Sequence, residues 1–282
     1  MQNAGIAELG LNWRYLALEV HPDDLRAAIE GAKSMRFIGL NLTVPHKLLA
    51  MKLVDGLDES ASTWGAVNTI RFEGKDSAGK WRPLADFEDR PREVRSWGYN
   101  TDAGAITRSL QEDLKLETRN STALVLGAGG AGRTAALKLA AENVSKIFLV
   151  NRTTSKAEAV AAEIAERSPG VKTVVGYPDG PVDLVLNATS LGLKSGDALP
   201  FDERKFDLKR AKAVYDMIYR PAETPFLSMA RAAGCKTANG LGMLLYQGAK
   251  ALEIWTGKTA PLETMRRALH DNVYGQAHTA RK

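Results

Sequence analysis

The sequence predicts an α/β fold in two domains, one of them built on a parallel sheet. Three observations carry this reading. The apolar run Ala123-Leu124-Val125-Leu126 leads straight into Gly127-Ala128-Gly129-Gly130-Ala131-Gly132, and a helix-forming segment, 133–142, follows: strand, glycine turn, helix. Strand-like and helix-like stretches alternate along most of the chain, the pattern of βα units. The length of 282 residues suits one large or two ordinary domains.

The glycine turn has the spacing G-x-G-x-x-G. The first glycine permits a tight turn, the second lets backbone approach a pyrophosphate, and the third lets helix and strand pack closely. The helix N-terminus adds N–H groups and partial positive charge. A second strand, 146–150, ends at Asn151-Arg152-Thr153. There, about 20 residues past the glycines, a dinucleotide site ordinarily places an acid on the adenosine ribose. Arg152 stands in its place, with Lys156 close behind. A guanidinium fork pairs well with a 2′-phosphate, so these residues point to NADP(H) rather than NAD(H). The competing explanation of Arg152 is a solvated surface arginine.

Composition bounds the rest. At 44% apolar and 25% charged residues the chain is ordinary for a globular protein. No apolar run is long enough for a bilayer, and the first residues, MQNAGIAELG, lack the build of a signal peptide. The single cysteine, Cys235, gives no disulfide framework, and four scattered histidines give no metal-ligand spacing. A cytoplasmic setting is expected. The net charge of +5 comes without a long Lys/Arg block, which favours anionic small molecules over nucleic acid. The expected partner is thus a small-molecule substrate, with no nucleic acid and no membrane, for a monomer or homodimer.

In chain order, 3–9 reads as a helix, 13–19 as a strand, 22–33 as a helix opened by Pro22, and 37–42 as a strand. This alternation predicts a mostly parallel first sheet. The strand runs into Asn41-Leu42-Thr43-Val44-Pro45-His46-Lys47. Ligands of open α/β sheets bind beyond the carboxyl ends of strands, and a lysine there can transfer protons. Lys47 also reads, more plainly, as an exposed lysine at a helix start. His46 has no assigned role.

Residues 60–63 read as a turn and 64–70 as a strand carrying Asn68. An amide among apolar neighbours must find partners, as a structural hydrogen-bonder or a ligand contact. Residues 73–97 read as a hairpin with a long loop. Thr101 or Asp102 then suits the N-cap of a helix over 103–114. Beyond Arg152 follow a helix over 155–165, strands over 171–175, 182–186 and 213–216, and a helix over 227–233 closed by Gly234. The chain ends in helices, one opened by Asn239-Gly240-Leu241-Gly242 and one over 262–271, with a disordered tail after Val273. Gln247 interrupts an apolar helix face and is a candidate ligand contact.

The motifs NLTVPHK, GAVNTI, GYNTDAG, GAGGAGR, NRT, NATSLG, YDMIYRPAETPFL and NGLGMLLYQGA occur in this order. Together they resemble the shikimate dehydrogenase family and its quinate/shikimate relatives. The resemblance implies a substrate domain (1–101) completed by C-terminal helices (239–282), and a Rossmann-type NADP-binding domain (102–238). It also implies a substrate cleft whose closure gates the reaction. The implied activity is reversible hydride transfer between NADPH and 3-dehydroshikimate, in the pathway to aromatic amino acids. Lys47 and Asp102 match the family's catalytic pair. Thr43, Asn68, Gln247 and Tyr219 match its substrate contacts. Gly127, Ala128, Gly129, Gly130 and Ala131 match the pyrophosphate loop, and Asn151, Arg152 and Thr153 the adenosine-phosphate site. Thr189, Met217, Gly240 and Met243 match the surroundings of the nicotinamide.

Two departures accompany the resemblance. The family opens with a strand and a segment bearing two serine-type hydroxyls for the substrate carboxylate. Gln2-Asn3 matches a point beyond them, so roughly twenty residues of that pattern have no counterpart here, from usual βα lengths. The expected consequence is an open edge or gap in the first sheet. The loop within 73–97 is also longer than the family's hairpin. Two rival readings stay open: a quinate/shikimate dehydrogenase or related enzyme acting on another hydroxy acid, and a catalytically weak NADP-binding paralogue.

Overall fold

The computed structural model describes residues 1–275. The chain divides into two compact units: Met1–Asp102 together with the chain from Leu245 onward, and Ala103–Leu244.

The first unit begins with α1 (Gln2–Glu8), α2 (Leu25–Ser34), β1 (Gly39–Asn41), α3 (His46–Leu49), β2 (Gly56–Leu57) and α4 (Glu59–Trp64). It continues with β3 (Thr69–Lys75), β4 (Trp81–Pro83) and β5 (Val94–Tyr99). Its sheet runs β1-β3-β5-β2, with β4 on β3. The expectation of a mostly parallel sheet is corrected here: β3 is antiparallel to β1, β4 and β5, and only β2 and β5 run parallel. The reason is that the chain returns from β3 through the short β4 to β5 with no crossover helix between them, which lets β4 and β5 each pair antiparallel with β3. Helix α2 covers one face with Leu25, Ile29 and Ala32, a helical i, i+4, i+7 stripe packed with Ile70 and Phe72. Residues 60–63 are helical in α4 rather than a turn, because Asp58 caps that helix by accepting the Ser60 N–H at 2.8 Å.

The expected strand over 13–19 does not form. Residues 11–20 carry no ladder pairing, and β1 is an edge of the sheet. Strand composition specifies an extended chain, but a ladder requires a neighbour within hydrogen-bonding distance. Side chains pin this segment instead. Asn3 exchanges bonds with the Tyr15 backbone at 2.8 and 2.9 Å, and His46 Nε2 donates to the Val20 carbonyl at 3.0 Å. A groove of about 880 Å³ is lined by Leu16 and Leu18 from the segment, Ala28 and Ala32 from α2, and Gly39 and Leu40 from β1.

The long loop of 73–97 is built into the sheet. Arg95 lies over the Trp81 and Trp97 rings at 4.4 and 4.0 Å. The buried Glu73 carboxylate pairs with Arg95 at 2.7 Å and with Arg71.

The second unit takes in α5 (Asp102–Leu114) from its second residue on, β6 (Thr122–Leu126), α6 (Gly130–Ala141), β7 (Lys146–Val150) and α7 (Thr154–Arg167). After these come β8 (Lys172–Val175), β9 (Val182–Asn187), β10 (Ala211–Asp216), α8 (Pro225–Ala232) and β11 (Lys236–Asn239). Its six strands are all parallel, in the order β11-β10-β9-β6-β7-β8. The four residues Ala123–Leu126 are buried in succession, as in a strand covered on both faces. One core joins Leu124, Leu126, Val185, Val214 and Phe226. Strand β11 is absent from the expectations, since Lys-Thr-Ala-Asn lacks apolar alternation and gains its place by pairing with β10. Helices α9 (Leu241–Thr256) and α10 (Leu262–Tyr274) follow. Helix α10 continues past Val273, and the rest of the expected disordered tail, 276–282, lies outside the described residues.

Candidate functional site

In the first unit, β1 ends at Asn41 and α3 opens at His46, which sets Lys47 in the first helical turn. The Lys47 carbonyl accepts the Val67 N–H at 2.9 Å and so ties this turn to the segment entering β3. Lys47 Nζ donates to Asp102 Oδ2 at 2.7 Å. The side chains are 26% and 15% exposed, so the pair is sheltered yet reachable. Asp102 is the first residue of α5, and its N–H is bound by Asn100 Oδ1 at 3.1 Å.

The other Asp102 oxygen, Oδ1, accepts from Asn68 Nδ2 at 2.9 Å. Asn68 is buried, and its amide is satisfied on both sides. Nδ2 also donates to Thr101 Oγ1 at 2.9 Å, while Oδ1 accepts the Thr101 N–H at 2.9 Å and the Thr69 hydroxyl at 3.1 Å. Lys47, Asn68 and Asp102, distant in sequence, thus form one hydrogen-bonded group. An ammonium held by a carboxylate can donate a proton to an incoming oxygen and, as an amine, take one back. Thr43 is exposed, and its carbonyl accepts the His46 N–H at 2.8 Å. Gln247 lies half-buried on α9.

In the second unit, Gly127 has φ of +103°, and Gly129, Gly130 and Ala131 are exposed. A Cβ at Gly132 would collide with the Gly127 carbonyl, so the third glycine of the motif is required by helix–strand contact. Helix α6 starts with Gly129 as N-cap and no side-chain cap, which leaves its first N–H groups to an anion. Ala128 N–H donates to Asn151 Oδ1 at 3.0 Å, and Asn151 Nδ2 donates to the Thr153 carbonyl at 2.8 Å. These bonds join the glycine turn to the segment after β7, where Arg152, Thr153 and Lys156 are exposed.

Thr189, Met217, Gly240 and Met243 also fall in this unit, as does the 38%-exposed Tyr219. Thr189 is held by Asn187, whose Oδ1 accepts the Thr189 N–H at 2.9 Å and its hydroxyl at 2.7 Å. Asn187 Nδ2 donates to Asp216 Oδ1 at 2.9 Å, and Thr224 Oγ1 donates to Asp216 Oδ2 at 2.7 Å. Burial raises the Asp216 carboxyl above the usual aspartate range, against the opposing bonds from Thr224, Ile218 and Asn187. Gly240 packs on the Met217 carbonyl with no room for a Cβ.

Sequence reasoning did not single out Asn41, Thr69, Asn187 or Asp216. Asn41 and Thr69 are register partners across β1 and β3, and Asn187 and Asp216 across β9 and β10. The signal was a polar residue at one end of a strand, closing it at Asn41, Asn187 and Asp216 and opening it at Thr69, but which two such residues meet depends on register.

Among the described residues no group of three His, Cys, Asp or Glu could hold a metal, and no helix is long and apolar enough to cross a membrane.

Comparison with known proteins agrees along nearly all of the chain. Residues 1–70 match the shikimate dehydrogenase substrate binding domain, 109–179 the shikimate / quinate 5-dehydrogenase family, and 240–270 the shikimate 5'-dehydrogenase C-terminal domain. The shikimate dehydrogenase (NADP(+)) of Methanopyrus kandleri is 38% identical over 281 residues, covering 97% of this chain and 90% of that protein. A crystal structure of shikimate dehydrogenase in complex with NADP+ is 36% identical, with a TM-score of 0.80 over 96% of this chain and 89% of that one. The ligand-free 5-ketofructose reductase of Gluconobacter sp. strain CHM43 is 33% identical, with a TM-score of 0.79 over 96% of this chain and 92% of that one. The glycine turn, the Lys47–Asp102–Asn68 group and these matches lead to one assignment: the chain belongs to the shikimate dehydrogenase family.

Proposed function

We propose that this chain is an NADP(H)-dependent dehydrogenase that reversibly reduces 3-dehydroshikimate to shikimate. The observation that carries the reading is the 2.7 Å contact between Lys47 Nζ and Asp102 Oδ2, with Asn68 on the other carboxylate oxygen. In reduction, the ammonium of Lys47 donates a proton to the substrate carbonyl oxygen as that oxygen becomes a hydroxyl; in oxidation, the neutral amine accepts it. Asp102 holds Nζ in place and offers its carboxylate to a neighbouring substrate hydroxyl. Asn68, Thr43, Gln247 and Tyr219 complete the substrate contacts in this reading.

The second unit fits NADP(H). Residues 127–131 and the uncapped start of α6 suit the pyrophosphate. Asn151 braces the loop, while Arg152, Thr153 and Lys156 offer donors to the 2′-phosphate. Thr189, Met217, Gly240 and Met243 line the nicotinamide side. When bound, the cofactor supplies the hydride. A cytoplasmic location belongs to this reading, supported by the free, buried thiol of Cys235.

The test is formation of NADPH from shikimate and NADP+, with quinate and NAD+ as comparisons. The expected result is turnover with shikimate and NADP+ well above the other combinations. NADPH binding without turnover on shikimate or quinate would overturn it in favour of the weak paralogue. The 5-ketofructose reductase neighbour supports a second reading, a different polyol carbonyl at the same group of residues, which NADPH oxidation by 5-ketofructose would reveal.

A further inference from the structure

Asn68 reaches the Lys47–Asp102 pair through an amide, and an amide serves only when its two ends face the right way. Turned over, its oxygen would face the Asp102 carboxylate and its NH₂ would face the Thr101 N–H. The Thr101 N–H, a donor only, and the Asp102 carboxylate, here an acceptor, set that orientation from one side, and a short chain of donors reinforces it from the other. Asn41 Nδ2, which can only donate, reaches Thr69 Oγ1 at 3.0 Å. Thr69 Oγ1 therefore accepts that bond and spends its one proton on Asn68 Oδ1, at 3.1 Å. Asn41 is itself oriented, because Tyr15 Oη donates to its Oδ1 at 3.1 Å. Thr69 is fully buried, so no solvent competes for the hydroxyl.

We infer that Thr69 is a positioning residue for the proposed reaction, with Asn41 setting the direction of its hydroxyl. Together they hold the Asn68 amide so that Nδ2 stays on Asp102 Oδ1, and Asp102 in turn keeps Oδ2 on Lys47. This rests on the reading of Lys47, Asp102 and Asn68 given above. Neither Thr69 nor Asn41 needs to touch substrate.

The test compares Thr69→Val, Thr69→Ser and Asn41→Asp with wild type in steady-state shikimate oxidation, with Lys47→Ala in parallel. Valine keeps the shape of threonine and removes the hydroxyl. Asn41 Nδ2 retains a second acceptor, the Asn68 carbonyl at 3.2 Å, so the fold has little to lose. Thr69→Val is expected to lower kcat about tenfold, the rate equivalent of one buried hydrogen bond, with the KM for NADP+ and the melting temperature near wild type. Thr69→Ser restores the rate. Asn41→Asp lowers kcat to the same extent with Thr69 intact, since a carboxylate at position 41 accepts the Thr69 proton and turns it away from Asn68. A purely structural threonine would not respond to this polarity reversal. Wild-type kcat in Thr69→Val or in Asn41→Asp overturns the inference, as does a Thr69→Ser variant as slow as valine. If Thr69→Val does not fold, the Asn41→Asp result decides. Full turnover in Lys47→Ala would overturn the underlying reading; its loss beside an unaffected Thr69→Val would overturn this inference alone.

Discussion

Each unit contains a buried asparagine that donates Nδ2 to an aspartate and accepts, through Oδ1, from threonine N–H and hydroxyl groups. In the first unit Asn68 joins Asp102 to Thr101 and Thr69. In the second, Asn187 joins Asp216 to Thr189. The partners of the two carboxylates differ. Asp102 has an ammonium at 2.7 Å and is partly exposed; Asp216 is fully buried, with neutral donors only from Asn187, Thr224 and the Ile218 N–H. The same amide connection thus serves a reachable ion pair in one unit and a closed structural knot in the other. A buried carboxylate with neutral partners is costly to ionise, whereas an ion pair near solvent remains free to exchange protons with a ligand.

Lys47→Ala tests the first half of this contrast and has the largest expected effect. It should lower kcat by about a thousandfold, the scale of lost general acid–base catalysis, with NADPH affinity unchanged by fluorescence titration. Asp216→Ala tests the second half. It leaves three donors without their acceptor inside the protein and should cost about 3 kcal/mol of stability, measured by denaturant unfolding. A stable Asp216→Ala variant would show that the second carboxylate is not a structural knot.

Arg152→Asp sharpens the contrast from the ligand side. Loss of one charge-assisted bond of about 2 kcal/mol should shift the NADP+ to NAD+ preference ratio by about 30-fold. An unchanged ratio would mean that Arg152 does not read the phosphate.

The smallest expected effect is a pH dependence. Burial raises the Asp216 carboxyl, so the folded state keeps that proton to higher pH than the unfolded chain does. The stability associated with the proton is present below the ordinary aspartate value and is lost as pH rises through the raised folded value. Asp216→Asn does not titrate. The advantage of wild type over this variant should therefore be largest near pH 4, about the unfolded aspartate value, and narrow toward pH 7 in paired thermal melts.

The parallel sheet and the glycine turn were legible because their signals are local. Residues 123–126 are apolar in succession, and the turn demands glycine at Gly127 for φ and at Gly132 for space. Lys47, Asn68 and Asp102 were legible as candidates, each with a plainer structural explanation beside it. The resemblance paired Lys47 with Asp102, but the link of that pair to Asn68 was not legible, since it needs the end of β1, the start of β3 and the start of α5 to converge. The segment 13–19 shows the opposite failure: it has the composition of a strand and no ladder partner. The polar β11 is a strand because β10 is beside it. Arg95, one charge among many in 73–97, lies over two tryptophans carried by the strands that flank β3.

By itself, then, the sequence determined the βα alternation, the phosphate-binding turn and the identity of the groups able to do the chemistry, because propensity, glycine geometry and side-chain type are properties of short stretches. Only the tertiary structure decided the mixed order of the first sheet, the lack of a ladder partner for residues 13–19, and the placing of Asn68 on the second oxygen of Asp102. These depend on strand register and long-range approach, where a shift of one residue turns a side chain to the other face of the sheet.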